Sequence, residues 1–222
     1  MMISHHPRPQ LLEQHAAGTL PAGLAVAVAT HCQMCAECRA LLQQAEAACA
    51  SQHLSEFSTT GHNASEADAP NFEDICAQIT SLPATASEPM RPHFICVKGQ
   101  SYPLPIALQQ LDCAAWTSVG NISRMRYDLE DTAGRASLLH IAAGGSVPQH
   151  THKGRELTLL LDGSFTDESG KYVKGDFIER DGSNEHSPYS EHGCLCFTLV
   201  DAPLHFTKGL GKLLNPFGQL LY

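Results

Sequence analysis

The spacing of apolar residues changes near residue 93, from a period typical of helices to one typical of strands. Three alanine-rich segments predict helices over 9–17, from about 20 to 31, and from 36 to about 52. Gly18 is a suitable stop for the first helix, and Thr19 is predicted to form the N-cap region of the second. Because these helices are short and rich in alanine, they bury little apolar surface alone, and a metal ion would help to stabilise them.

A fourth helix is predicted apart from the first three. Turn-forming residues over 55–70 predict a loop or linker, and apolar residues at helical spacing then predict an amphipathic helix over 71–82. Three prolines between 83 and 92 predict a boundary. We therefore expect a helical domain over residues 1–84, a linker over 85–92 and a second domain over 93–222.

Short apolar runs separated by glycine and aspartate dominate the second domain. They predict strands in an all-β sandwich or barrel. The clearest runs cover residues 136–143, 157–168, 172–179 and 194–202. The predicted fold class is therefore α+β multidomain, with a small helical domain followed by an all-β barrel.

Charge and composition narrow the possible partners and location. Residues 1–90 carry a net charge of −7 and residues 91–222 a net charge of −2, which is consistent with two units. A total of −9 without a basic cluster argues against direct binding of nucleic acid and favours a basic protein partner. Neither a membrane-spanning segment nor an export signal is evident, so a cytoplasmic location is expected. The nine cysteines are then expected to be reduced thiols or metal ligands.

One cluster of metal-ligand residues lies in the helical domain. His31, Cys35 and Cys38 have the spacing H-x3-C-x2-C, which allows a histidine nitrogen and two thiolates to meet a zinc ion. A fourth ligand would come from His5 or His6, between which spacing does not decide. The alternatives are a thiol redox pair formed by Cys35 and Cys38, or cysteines that simply pack in a core, with Cys32 a bystander.

A second cluster lies in the predicted barrel. The segment 144–163 matches the first motif of cupin barrels, G-x5-H-x-H-x3-E-x6-G, at every fixed position: Gly144, His150, His152, Glu156 and Gly163. His186 lies at the offset of the histidine in the second cupin motif. Three other positions of that motif differ, with Asp181, Ser183 and Ser190 in place of proline, glycine and asparagine. The set predicts a divalent metal held by His150, His152, Glu156 and His186, although buried, hydrogen-bonded histidines are an alternative.

Three strings together resemble the ChrR-type zinc-binding anti-sigma factors: HH at 5–6, AAGTL at 16–20 and THCQMCAECR at 30–39, followed by a cupin. The resemblance implies that His6 is the fourth ligand of the N-terminal zinc and that the cupin ion is zinc or another divalent metal. It implies one-to-one binding of an extracytoplasmic-function sigma factor, with the first three helices and the helix over 71–82 wrapped between two sigma domains. It also implies release of that partner on oxidative stress such as singlet oxygen.

The main alternative is a metal-dependent cupin enzyme, either a dioxygenase or an isomerase, with an accessory zinc domain. Beyond the metal ligands, the sequence offers no constellation that we can assign as acid, base or nucleophile, so a non-enzymatic role is expected. Cys194 and Cys196 alternate on a predicted strand, where core packing is favoured over a redox role.

Overall fold

The structure is a computed structural model. It describes residues 2–59, 71–83, 93–129, 134–152, 154–182, 185–202 and 204–206, of which 56–59, 152 and 204–206 are described by their backbone alone. The predicted linker over 85–92 and the final residues from 207 onward lie outside this part of the chain.

Four helices form the N-terminal region: α1 Pro9–Ala16, α2 Ala22–Met34, α3 Ala36–Thr59 and α4 Phe72–Ser81. Helix α1 has a proline at its first position and ends before Gly18, whose φ of 67° closes the helix. The backbone N–H and hydroxyl of Thr19 both donate to the carbonyl of Gln14, at 3.0 and 3.2 Å. Thr19 therefore completes the end of α1, and its expected role as the N-cap of α2 is wrong.

Helix α3 is longer than its predicted end near residue 52. It runs through the first residues of the predicted linker to Thr59. The chain contains neither glycine nor proline between residues 36 and 60, so nothing in the backbone stops the helix earlier. The hydroxyls of Ser51 and Ser55 also donate to carbonyls of the preceding turn, which satisfies their polar groups within the helix.

In the described part of the second region there are thirteen strands and one 3-10 turn at Ile106–Leu108. The strands are β1 Phe94–Val97, β2 Gln100–Pro103, β3 Thr117–Val119, β4 Ile122–Arg126, β5 Arg135–Ile141, β6 Gly145–Ser146, β7 His150–His152, β8 Glu156–Asp167, β9 Gly170–Val173, β10 Phe177–Arg180, β11 Tyr189–Ser190, β12 Cys194–Val200 and β13 Leu204–Phe206. Nine strands form one antiparallel sheet in the order β3-β4-β5-β12-β8-β11-β6, with β9 and β10 also paired to β8. The sheet curls into the predicted cupin-type barrel.

The main apolar core runs from the helices into the barrel. Leu12 and Val28 of the helices belong to the same buried cluster as Leu108 and Phe177 of the barrel region. A hydrogen bond from the Ile106 N–H to the Gln33 side chain, at 2.9 Å, adds a polar contact across this boundary. The first three helices are therefore packed against the barrel.

A second buried cluster lies inside the barrel. Cys194 and Cys196 share one face of β12 and are buried in this cluster together with Ile141 and Leu160. Their burial is that expected of cysteines packed in a core.

Helix α4 differs from the other helices because none of its residues is buried. The side chain of Asn71, at the N-cap position, accepts a hydrogen bond from the Glu73 N–H at 3.1 Å, which is typical of a helix start. Within the described residues, no helix combines the length and the apolar character that a membrane crossing requires.

Candidate metal centres

The N-terminal cluster brings together four side chains from three neighbouring segments. His6 lies on the extended segment before α1, His31 in the last turn of α2, and Cys38 in the first turn of α3. Cys35 joins α2 to α3 in an extended conformation, with φ −110° and ψ 111°, so the chain turns sharply there. One ligand atom from each of the four residues lies within 4.8 Å of the others. These are the four residues predicted from the sequence.

The cluster is buried on all sides but that of His6. His31, Cys35 and Cys38 are at most 4% exposed. The Nδ1 atom of His6 lies 3.5 Å from the Cys35 sulfur and 3.3 Å from the Cys38 sulfur. Two thiols and two imidazoles at such distances can all face a single ion.

Two observations test whether zinc fits. The Nδ1 atom of His31 donates to the Gly175 carbonyl at 2.8 Å, which leaves Nε2 as a buried acceptor without a hydrogen bond in the described structure. Burial lowers the pKa of His31 to about 4, so the ring is neutral and able to bind a metal. Burial, together with the neighbouring Cys35, raises the pKa of Cys38 to about 12, and a divalent cation would reverse this by stabilising the thiolate. The donor set fits zinc.

His5 and Cys32 lie outside the cluster. The His5 ring instead packs against Tyr172 of the barrel, with ring centroids 4.9 Å apart. Cys32 is buried on α2, and burial raises the pKa of its thiol to about 11. The structure thus favours His6 over His5, which spacing alone did not.

The barrel holds the segment that carries His6. The buried carboxylate of Asp176 accepts hydrogen bonds from the N–H groups of Ser4 and His5, at 2.8 and 3.0 Å, and from Val173 at 2.8 Å. The carbonyl of His5 in turn accepts from the Phe177 N–H at 2.9 Å. Sequence reasoning missed this contact because its members lie about 170 residues apart.

Two further contacts complete this junction between the N-terminal segment and the turn before β10. Arg8 forms a bidentate pair with Glu179, at 2.8 and 2.9 Å. Gly175 has a φ of 95°, and a Cβ atom placed there would lie 2.4 Å from the Ile3 side chain. Only glycine therefore allows both the turn and the close approach of Ile3. Because Gly175 also accepts from His31, the barrel contributes directly to the surroundings of the N-terminal cluster.

The barrel cluster contains three of its four predicted residues. Ligand atoms of His150, Glu156 and His186 lie within 4.8 Å of one another, and all three residues are at most 9% exposed. The Nε2 atoms of the two histidines are 2.9 Å apart, and that of His186 lies 3.5 Å from a Glu156 oxygen. His152 lies on β7, but its side chain is outside the described part of the structure.

Backbone pairing explains how two of these histidines meet. The N–H and carbonyl groups of His150 and His186 exchange hydrogen bonds at 3.1 Å, which sets their rings side by side. The Nδ1 atom of His150 donates to the Pro148 carbonyl at 2.8 Å, so its Nε2 is an acceptor that faces the cluster. Two imidazoles and a carboxylate suit zinc, iron, manganese or nickel, so the residues fit a divalent metal.

Three comparisons place the chain among known proteins. Residues 106–202 match the family of the ChrR cupin-like domain. The anti-sigma-E factor ChrR of Cereibacter sphaeroides is 35% identical over 99% of this chain and all of its own length. The crystal structure of Rhodobacter sphaeroides SigE in complex with the anti-sigma ChrR is similar at a TM-score of 0.62 and 29% identity, covering 90% of this chain and all of the matched chain. An RmlC-like cupin from Ralstonia eutropha covers 42% of this chain and 67% of its own, at 19% identity and a TM-score of 0.39, which is too low to add to the assignment. The chain contains the helices, the barrel and both clusters, and it matches the anti-sigma-E factor ChrR from end to end. The protein therefore belongs to the ChrR family.

Proposed function

We propose that this protein is an anti-sigma factor that binds an extracytoplasmic-function sigma factor one-to-one. The observation that carries the proposal is the end-to-end similarity to a relative named as an anti-sigma factor, together with the similarity to a chain solved in complex with SigE. Binding would hide the surfaces that the sigma factor uses for RNA polymerase. A partner of this kind would place the protein in the cytoplasm.

The exposed face of α4 supports this proposal. Phe72, Ile79 and Leu82 are 76%, 62% and 68% exposed, and Ile75 lies between them on the same face. An isolated helix of ten residues is not stable in water without a partner for its apolar face. We propose that α4 and the first three helices grip the partner, and the net charge of −7 over residues 1–90 favours a basic one.

We propose that zinc bound by His6, His31, Cys35 and Cys38 sets the arrangement of the first three helices. We also propose that His150, Glu156, His186 and the His152 of the motif hold zinc or another divalent metal in the barrel. The second centre is the proposed sensor, which releases the partner on oxidative stress such as singlet oxygen. Support for sensing comes from the family resemblance.

Co-expression with each extracytoplasmic-function sigma factor of the same genome, in medium with zinc, tests the function. A stable one-to-one complex with one of them is expected. In that complex, Ile79→Asp places a charge on the exposed apolar face of α4, and we expect affinity to fall roughly 10- to 100-fold because a buried contact becomes an unpaired charge. Gln78→Asp is the matched control, since this residue is also exposed on α4 but lies off the apolar face. No complex with any candidate would refute the proposal.

A metal-dependent cupin enzyme is the second candidate, favoured by one observation: the barrel cluster borders a cavity of about 680 Å³. Turnover of a small oxidisable or isomerisable compound that His150→Ala abolishes would support it. Sigma binding that persists in the same variant without any turnover would favour the anti-sigma function.

A further inference from the structure

The barrel cavity has the size and lining of a small-molecule site. Its volume of about 680 Å³ lies within the range of roughly 300–1,000 Å³ that is typical of such sites. Apolar side chains supply much of the wall, among them Leu139, Ile141, Phe165 and Ile178. An apolar part of a ligand would therefore be well accommodated.

The charges that line the cavity are mostly positive. Arg124, Arg126 and Arg180 reach the wall, but among the lining residues that the structure describes Glu156 is the only carboxylate. Arg180 is already neutralised, because it pairs with the buried Asp167 at 2.5 Å and also donates to Tyr172. Arg124 lines the same wall as Glu156, and a divalent cation in the barrel cluster would add positive charge there.

Arg124 stands out within this set. Of the residues that the structure describes, none hydrogen-bonds or ion-pairs with its guanidinium group, which adjoins the cavity. Burial and the nearby Arg126 lower the pKa of Arg124 to about 10, so the group remains charged at neutral pH. The charge of Glu156 opposes part of this lowering without forming an ion pair, and an anion in the cavity would further offset the cost of partly withdrawing the guanidinium from water.

The register of the sheet sets this charge beside the apolar wall. Arg124 of β4 is paired with Leu139 of β5, which is paired with Cys196 of β12, so the three side chains form a row on the inner face. A ligand that reaches Arg124 with an anionic end would therefore lay an attached apolar chain along Leu139 and its neighbours.

We propose that the cavity binds a small monocarboxylate with an apolar chain. Its carboxylate is held by the planar, bidentate guanidinium of Arg124, and its chain contacts Leu139, Ile141 and Ile178. One unpartnered guanidinium in a mainly apolar wall suits a single carboxylate better than a dicarboxylate or a polar sugar. His150, Glu156 and His186 of the barrel cluster line the same cavity, and the proposal does not depend on the proposed sigma partner.

Isothermal titration calorimetry of the zinc-containing full chain with octanoate tests the proposal. Octanamide is the matched probe, because it has the same chain and shape without the charge. We expect octanoate to bind roughly 10- to 100-fold more tightly than octanamide, as is usual for a hydrogen bond to a charged group. Arg124→Gln should remove this difference, and Arg124→Lys should keep part of it because the charge remains but the bidentate geometry is lost.

Arg155→Gln is the control for a general change in charge. Its side chain is 79% exposed, pairs with Asp201 and does not line the cavity, so octanoate affinity should be unchanged. Three outcomes would overturn the proposal: no octanoate binding at millimolar concentration, equal binding of octanamide, or undiminished octanoate binding by folded Arg124→Gln. If Arg124→Gln does not fold, Arg124→Lys decides instead, because undiminished octanoate affinity in that folded variant would overturn the bidentate contact.

Discussion

The two metal-ligand clusters differ in what surrounds them. The N-terminal cluster joins an extended segment to two helices, and α1 contributes only Leu11 and Leu12 as buried side chains. Of the barrel cluster, Glu156 begins β8 of the nine-stranded sheet, whose Phe197 and Leu159 are completely buried, whereas His150 lies on β7 and pairs with His186 beside that sheet. In the N-terminal region the ligand side chains make up much of the buried interior, whereas in the barrel the ligands lie at the edge of a large apolar core.

This difference indicates opposite relations between metal and fold. A metal ion in the N-terminal cluster would contribute directly to folding, because its ligands come from the N-terminal segment, α2 and α3 and would be joined through the ion. In the barrel, the pairing of β8 with β12 and β5 with β12 is already extensive and positions Glu156, while backbone hydrogen bonds between His150 and His186 position the two imidazoles, so the fold does not need the ion. Substitutions in the two clusters should therefore have unequal effects.

The largest effect is expected from Cys38→Ser. Loss of this ligand should release the N-terminal metal and unfold the helices, since zinc contributes roughly 10–16 kcal/mol to small structural sites of this kind. Circular dichroism should show loss of helix with retained strand signal, and metal analysis should show one zinc fewer. Cys49→Ser is the control, because this half-buried thiol on α3 lies outside the cluster. A zinc-free Cys38→Ser protein with intact helices would contradict the structural role of the metal.

Asp176→Asn should have the next largest effect, because it weakens the junction that the two regions share. Replacing a carboxylate that accepts from Ser4, His5 and Val173 should lower the free energy of unfolding by roughly 2–4 kcal/mol. Chemical denaturation at pH 7 measures this. Asp162→Asn, at an exposed ion pair with Lys174, should cost at most about 1 kcal/mol.

The junction should also weaken in acid. Burial alone would raise the pKa of Asp176, but hydrogen bonds from the backbone N–H groups of Val173, Ser4 and His5 lower it overall below the usual 3.8. Because the folded pKa is the lower one, the stabilisation is fully present above pH 3.8 and is lost as the pH falls through the folded value. Free energies of unfolding measured between pH 6 and 2 should therefore converge for the unmodified chain and Asp176→Asn. A constant difference over this range would show that the Asp176 charge does not stabilise the junction.

Glu156→Gln should affect metal content more than folding. We expect the barrel cluster to lose its metal and the free energy of unfolding of the barrel to change by only about 1 kcal/mol, because the surrounding sheet is unchanged. Metal analysis together with thermal unfolding measures both quantities. An unfolded barrel in this variant would show that the barrel, like the N-terminal helices, depends on its metal ion for folding.

Arg8→Gln is expected to have the smallest effect. The Arg8 side chain is 65% exposed, and such ion pairs contribute roughly 0–1 kcal/mol. Thermal unfolding should hardly change, whereas a loss comparable to that of Asp176→Asn would show that the surface pair with Glu179 holds the junction.

Local patterns predicted most of the fold and most of both clusters. Helical periodicity located α1 to α4, and the motif spacing identified His31, Cys35 and Cys38, because these features depend on residues close together in the chain. Two local predictions were wrong: Thr19 closes α1 rather than capping α2, and α3 continues to Thr59. Both errors concern helix ends, where a single hydrogen bond decides between alternatives.

The sequence by itself determined which residues could bind metals and which segments are helical or extended, since spacing alone decides which side chains share a face. Spacing left His5 and His6 open, and the tertiary structure shows that His6 faces the thiols. Only the tertiary structure decided that Asp176 holds the N-terminal segment and that Arg124 adjoins an apolar cavity. Each of these depends on groups that are remote in sequence. Their proximity results from the packing of helices on the barrel and from strand register, and neither leaves a local pattern in the chain.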